Sequence, residues 1–181
     1  MNNNTLTSTI GVRYADVLLV IGATAIIAIA AQIAVPVPFT PVPLTLQPLA
    51  VLLVGAVLGS ARGAAAAALY LVEGMSGLPV FSQGHGGAIW LVGPTAGYLW
   101  SYPVAAFLAG WLGEHRGTST VLRSIGSMLL GLAVIYAGGW SWLALMSGPR
   151  AAFAMGVAPF ILADAVKIAI GAMILPYVRR V

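Results

Sequence analysis

Charged residues are scarce in this sequence, and their scarcity is the strongest constraint on its fold. Of the 181 residues, 60% are hydrophobic and only 7% are charged, and the mean hydropathy is +1.00. Soluble domains carry about 25% charged residues, so a chain of this composition is an integral membrane protein. The net charge of +4 does not indicate nucleic-acid binding, because the basic residues lie at segment ends rather than in a patch with interleaved aromatic residues.

Hydropathy and the glycine and proline breaks predict an all-α bundle of six transmembrane helices in one domain. A helix needs about 20 apolar residues to cross a bilayer. The predicted spans are residues 14–35, 45–58, 63–74, 93–112, 120–146 and 151–177. Residues 1–13 are expected to form a polar N-terminal tail that lacks the basic start of a signal peptide, and residues 14–181 the membrane domain.

The arginines predict the orientation of these spans. Cytoplasmic loops of membrane proteins carry an excess of Lys and Arg. With six spans and both termini in the cytoplasm, Arg150 alone lies outside, and the cytoplasmic side carries six arginines: Arg13, Arg62, Arg116, Arg123, Arg179 and Arg180.

Two segments on the predicted outer side are unusual. Residues 35–43 read VPVPFTPVP, and proline has a fixed φ and no N–H, so this segment forms neither a helix nor a central strand. We expect a stiff, polyproline-like lid or pocket wall. Residues 75–92 hold several glycines and no Lys, Arg, Asp or Glu. Long loops of this kind are mostly functional or disordered, and the aromatic and aliphatic residues here favour an ordered cover over a binding site.

Asp164 and Lys167 form an ionisable pair inside the last predicted span. At positions i and i+3 they share one helix face. Asp164 is expected about 13 residues into that helix, about 20 Å from its outer end. Because charge is expensive inside a bilayer, neither side chain should face lipid. Either the pair only neutralises itself and fixes helix packing, or, as we favour, it faces a cavity and binds a ligand with both donors and acceptors.

Other polar residues are weaker candidates for a binding site. Gln47 opens the second span, with Thr45 as a candidate N-cap, and either satisfies backbone groups or lines the pocket. Ser82, Gln83 and His85 lie in the glycine-rich loop, where a histidine is most often solvated. Gly55, Gly59 and Gly63 have the GxxxG spacing of close helix packing, either within this bundle or against a partner.

Signatures of enzymes are missing from the sequence. There is no G-x-S-x-G, H-E-x-x-H, P-loop or G-x-G-x-x-G motif, and there is no cysteine. We therefore expect neither catalysis nor a cofactor or bound metal. If the chain takes part in active transport, the energy comes from another chain or from an ion gradient.

Four stretches carry a resemblance to a known family. Residues 31–64 contain AQIAVPVPFTPVPLTLQPLA, residues 69–81 read LYLVEGMSGLPVF, residues 93–100 read GPTAGYLW, and residues 158–172 read APFILADAVKIAIGA. In these stretches the chain resembles the BioY family, the biotin-specific S components of energy-coupling factor (ECF) transporters. The combination of the proline segment, GLPVF and GPTAGY is specific.

The resemblance implies an S-component-type bundle in the bacterial inner (cytoplasmic) membrane that binds biotin under its outer loops. It implies partners as well, a membrane scaffold subunit and a pair of ATPase subunits. Asp164 would accept a hydrogen bond from a ureido N–H group, and Lys167 would donate to the ureido carbonyl or to the carboxylate of biotin. A polar contact would come from the loop of residues 82–85. The apolar body would be covered by three aromatic residues, Phe81, Trp90 and Tyr98.

Three alternatives stay open from the sequence. A self-sufficient secondary transporter would show inverted repeats and polar residues in several spans. No convincing repeat is evident, and charge inside the membrane is confined to one helix. An intramembrane enzyme would need a nucleophile and a base that converge at depth. An S component for a different vitamin is the nearest rival. Whether the chain uses dedicated or shared partner subunits, or acts alone, is not encoded in any motif.

Overall fold

The computed structural model describes residues 3–114 and 121–178, with side chains from residue 14 onward. Two antiparallel strands of two residues each and two short 3₁₀ turns (Ser82–Gly84 and Ala88–Leu91) interrupt a bundle of helices. The elements are α1 (Asn3–Gln32), β1 (Ala34–Val35), β2 (Leu44–Thr45), α2 (Gln47–Leu58), α3 (Ser60–Met75), α4 (Ala96–Glu114), α5 (Val121–Ser147), α6 (Pro149–Gly156) and α7 (Ile161–Val178). The predicted all-α membrane bundle is confirmed.

Three helices of the described chain are long and apolar enough to cross a bilayer unaided: Tyr14–Gln32 within α1, α5 and α7. Helix α2 is apolar but has only 12 residues, as the short second span predicted.

The first helix departs from the prediction at both ends. It begins at Asn3, inside the expected polar tail, and it ends at Gln32 because the chain then enters β1.

The two ends of the bundle differ. One end, here called the loop end, carries the segments 33–46 and 76–95. At the opposite end Gly59 alone separates α2 from α3, and Glu114 at the end of α4 accepts hydrogen bonds from the N–H and hydroxyl of Ser60. Arg62 and Asp16 form an exposed ion pair at this end, 2.7 Å apart. Four of the seven arginines, Arg13, Arg116, Arg179 and Arg180, lie outside the residues whose side chains the structure describes.

The proline segment folds as a cap on the loop end. Strands β1 and β2 pair Ala34 with Thr45 and Val35 with Leu44, so the segment leaves α1 and returns to α2 at nearly the same place. The hydroxyl of Thr40 donates to the carbonyl of Met155 at 2.7 Å, which fastens the cap to α6. The cap is neither helical nor part of a larger sheet, in agreement with the expectation from its prolines.

The prediction of one continuous helix over residues 151–177 is wrong. The chain forms α6 up to Gly156, a non-helical turn, and then α7 from Ile161. Pro159 explains the interruption, since proline disfavours the α conformation in the residue before it and lacks an N–H of its own. The N–H groups of Val157 and Ala158 both donate to the carbonyl of Phe153, so the break leaves these two donors paired.

Glycines permit the closest helix contacts in the bundle. A Cβ atom added at Gly55 of α2 would overlap the backbone of Ala106 in α4, and one at Gly110 of α4 would overlap the backbone at Ser60. Gly63 of α3 lies equally close to Gly55. Gly55 and Gly63 of the GxxxG pattern therefore pack inside this chain.

This packing predicts a difference between two glycine substitutions. Gly55→Ala should lower the free energy of unfolding by about 1–3 kcal/mol, because the added methyl group meets backbone that cannot move aside. Gly126→Ala is the matched control, since a Cβ at Gly126 meets no atom within 4 Å. Thermal unfolding of the detergent-solubilised protein measures both. A Gly55→Ala midpoint equal to that of Gly126→Ala would contradict the packing described here.

Candidate binding site

A cavity opens under the proline segment at the loop end. The empty space among its walls, including the part that opens to solvent, is about 640 Å³. The cap, the second loop and helices α2, α4, α5 and α7 all contribute walls. The lining residues are Val42, Pro43, Leu44, Thr45, Gln47, Pro48, Phe81, Ser82, Trp90, Thr95, Tyr98, Leu99, Tyr102, Ile135, Tyr136, Gly156, Phe160, Asp164 and Lys167.

The break before α7 places the ionisable pair in the cavity wall. Asp164 lies in the first turn of α7 rather than deep inside a continuous helix, so its predicted depth within that helix was also wrong. Its carboxylate is 6% exposed, and its Oδ1 atom lies 2.6 Å from Nζ of Lys167, whose side chain is 12% exposed. The pair neutralises itself and also lines the cavity, and its binding of a ligand stays a prediction.

Two further contacts complete the polar wall. The hydroxyl of Tyr136 on α5 donates to Oδ2 of Asp164 at 2.6 Å. The ammonium of Lys167 donates to the carbonyl oxygen of Thr45 on β2 at 2.7 Å. The ion pair thus joins α7 to α5 and to the end of the proline segment. The sequence interpretation missed Tyr136. The sequence feature that could have identified it is a tyrosine within an apolar span, because a buried tyrosine hydroxyl usually finds a hydrogen-bond partner.

A second polar group enters the cavity from α2. Gln47 is 3% exposed, and its Nε2 atom donates to the hydroxyl of Tyr70 at 2.8 Å. The hydroxyl of Tyr70 donates in turn to the carbonyl of Val80 in the second loop. The amide oxygen of Gln47 accepts no hydrogen bond from the described residues. Since Gln47 lines the cavity, this oxygen is available to a donor on a ligand. The hydroxyl of Thr45 accepts a hydrogen bond from the N–H of Gln47 at 3.3 Å. Thr45 is not the N-cap that the sequence suggested, because Leu46 occupies that position.

The three aromatic residues expected to cover a ligand all line the cavity. Phe81 is buried and packs edge-on against Tyr70, with ring centroids 5.6 Å apart. Tyr98 donates its hydroxyl proton to the carbonyl of Gly156 at 2.7 Å, which ties α4 to the end of α6. Trp90 lies in the second loop and, like Phe81, contributes to the wall that this loop forms. Most of the lining is therefore apolar, with the polar groups confined to a few positions.

Two of the eight predicted site residues, Gln83 and His85, do not line the cavity. Gln83 is exposed and occupies a left-handed turn with φ of 61°. The ring of His85 stacks on Trp90 with centroids 3.9 Å apart, and its Nδ1 atom lies 2.7 Å from the carbonyl of Ser82. The contacts with Trp90 and Ser82 therefore hold the ring of His85. Ser82 is the member of this loop quartet that reaches the cavity wall.

The second loop is fastened to α1 by one side chain. Nε2 of Gln32 lies within hydrogen-bond distance of the carbonyls of Val80 and Phe81, and its Oε1 accepts from the N–H of Gly84. These bonds hold Phe81 over the cavity. The loop is ordered, as its apolar residues predicted.

Fold and site together define a membrane-embedded binding protein for a small ligand with an apolar body and a polar end. A sequence model of the BioY family matches residues 1–181. The chain belongs to the BioY family, which confirms the resemblance found in its sequence.

Curated relatives and a solved structure agree with this assignment. The chain is 44% identical over 159 residues to the probable biotin transporter BioY of Pyrococcus horikoshii, which covers 88% of this chain and 93% of that protein. It is 40% identical over 152 residues to the biotin transporter BioY of Thermotoga maritima, covering 83% and 88%. A crystal structure of the S-component for biotin from an ECF-type ABC transporter superposes with a TM-score of 0.84 at 26% identity, covering 100% of this chain and 95% of that one.

The buried ion pair predicts a pattern of stabilities. Lys167→Met should destabilise the protein by about 3–5 kcal/mol, because it leaves the Asp164 carboxylate buried without a counter-ion. The double variant Asp164→Asn, Lys167→Met should recover part of that loss. Arg62→Met, which opens the exposed pair with Asp16, should cost less than about 1 kcal/mol.

Thermal unfolding midpoints of the three variants in the absence of ligand measure this pattern. A double variant less stable than Lys167→Met alone would show that the two charges do not compensate each other.

Proposed function

We propose that this chain binds biotin in the cavity under the proline segment and delivers it inward as the substrate-specific S component of an ECF-type transporter. The single observation that supports it most directly is the Asp164–Lys167 pair in the wall of a mostly apolar cavity. The relatives named as biotin transporters supply the identity of the ligand.

The chemistry of biotin fits the two parts of this cavity. Its ureido ring has two N–H donors and one carbonyl acceptor, its thioether ring is apolar, and its side chain ends in a carboxylate. Asp164 is an acceptor for a ureido N–H, while Lys167 is a donor to the ureido carbonyl or to the carboxylate. Phe81, Trp90 and Tyr98 pack against the apolar rings.

We further propose six membrane crossings, with the loop end outside and both termini in the cytoplasm. Helices α6 and α7 together make the sixth crossing, as a broken helix of the kind that lines substrate sites in transporters. The charge placement supports this orientation, since Arg62 and Arg123 lie at the end opposite the loops and Arg150 lies at the loop end. Biotin then enters from the outer side of the cytoplasmic membrane.

Partner subunits follow from the same role. The sequence contains no P-loop, and a solved structure similar to this chain is the S-component of an ECF-type ABC transporter. A membrane scaffold subunit and a pair of ATPase subunits would supply the energy for the transport step. We expect biotin binding without these subunits, because the ion pair and the aromatic residues of the cavity belong to this chain.

A calorimetric titration of the purified chain with biotin tests this proposal. We expect saturable binding of one biotin per chain without ATP or partner subunits, and none of thiamin or riboflavin. Asp164→Asn should weaken biotin binding about 100-fold, because a hydrogen bond to a buried charged group contributes about 1.5–3 kcal/mol.

Asp16→Asn is the matched control, since Asp16 lies in an exposed ion pair at the opposite end of the bundle. It should bind like the wild type. A folded wild-type chain that does not bind biotin would exclude the proposed ligand, and equal losses in the two variants would exclude a direct role for Asp164.

A further inference from the structure

The hydroxyl of Tyr136 contacts the one carboxylate in the cavity wall. It donates to Oδ2 of Asp164 at 2.6 Å, while Lys167 donates to Oδ1 of the same carboxylate at 2.6 Å. The two donors come from different helices, α5 and α7. Each carboxylate oxygen therefore already holds one protein donor, and about half of the four lone-pair positions of the group stay free for a ligand.

This arrangement fixes the orientation of the carboxylate. The terminal torsion of an aspartate is broad and roughly two-fold, so Lys167 alone, three residues away on the same helix, would leave the group free to rotate about its contact. Tyr136 approaches from the other oxygen and opposes that rotation. Its ring is carried on α5, a helix of 27 residues, and so provides a rigid support.

The arrangement also sets the hydrogen-bonding pattern offered to a ligand. Because the proton of Tyr136 is committed to Asp164, this hydroxyl is not a donor to the ligand. The ammonium of Lys167 has three protons, of which two are engaged by Asp164 and the carbonyl of Thr45, so one remains. Around the ion pair, the carboxylate of Asp164 thus offers acceptor capacity to a ligand, and the ammonium of Lys167 offers one free donor beside it.

We propose that Tyr136 is a positioning residue that fixes the Asp164 carboxylate, so that its free acceptor positions meet an N–H donor of the ligand beside the free donor of Lys167. A cyclic urea carries an N–H donor next to a carbonyl acceptor, so the inference rests on the proposed biotin-binding function and makes it more specific. Tyr136 acts through Asp164, and its removal should have no further effect once the carboxylate is gone.

Biotin titrations of a double-mutant cycle test the inference. Tyr136→Phe keeps the ring and removes only the hydroxyl, and we expect it to weaken biotin binding about 10- to 100-fold. In the Asp164→Asn background the same substitution should change affinity by less than about twofold, since residues that act as one unit are not additive. Tyr177→Phe is the matched control, because Tyr177 is 73% exposed, and it should bind like the wild type. Titration to millimolar biotin keeps the weak variants measurable.

The possible outcomes distinguish a failure of this inference from a failure of the proposed function. Tyr136→Phe with wild-type affinity would overturn the inference while the proposed function stands, and so would a loss that is additive with Asp164→Asn. A wild-type chain that binds no biotin would remove the proposed function and the inference together.

Discussion

A pair of opposite charges inside an apolar bundle is the interaction on which the binding site depends. A single charge at the centre of a bilayer costs about 2.5–3.5 kcal/mol on insertion scales. Here Asp164 and Lys167 neutralise each other, and each has a further partner, the hydroxyl of Tyr136 and the carbonyl of Thr45. The same contacts join α7, α5 and the proline segment, so the pair that we propose as the ligand-binding group also holds the walls of the cavity together.

The break between α6 and α7 gives this pair access to the cavity. Non-helical backbone within a membrane protein is tolerated where it is covered by protein or lines a cavity. Both conditions hold at this break, because Tyr98 donates to Gly156, Thr40 donates to Met155, and Gly156 and Phe160 line the cavity. The hydroxyl of Thr40 therefore connects the proline cap directly to the end of α6, where the helix breaks.

The sequence predicted the composition of the site better than its geometry. Asp164, Lys167, Gln47 and the three aromatic residues were identifiable because polar groups and rigid loops are conspicuous in an apolar chain. The broken helix was missed because the apolar run continues through Pro159, so that hydropathy alone does not predict the turn. Tyr136 was missed because its partner is 28 residues away. Gln83 and His85 were predicted to contact the ligand, but neither residue lines the cavity. The local geometry of the turn that carries them is not visible in the composition of the loop.

A structure of this chain determined with biotin tests the central claim most directly. The account predicts the ureido ring within hydrogen-bond distance of the Asp164 carboxylate, under the proline segment, with its apolar rings against Phe81, Trp90 and Tyr98. Biotin bound elsewhere on the chain, with the Asp164–Lys167 pair closed and without contact to it, would contradict the account and leave the pair a purely structural feature.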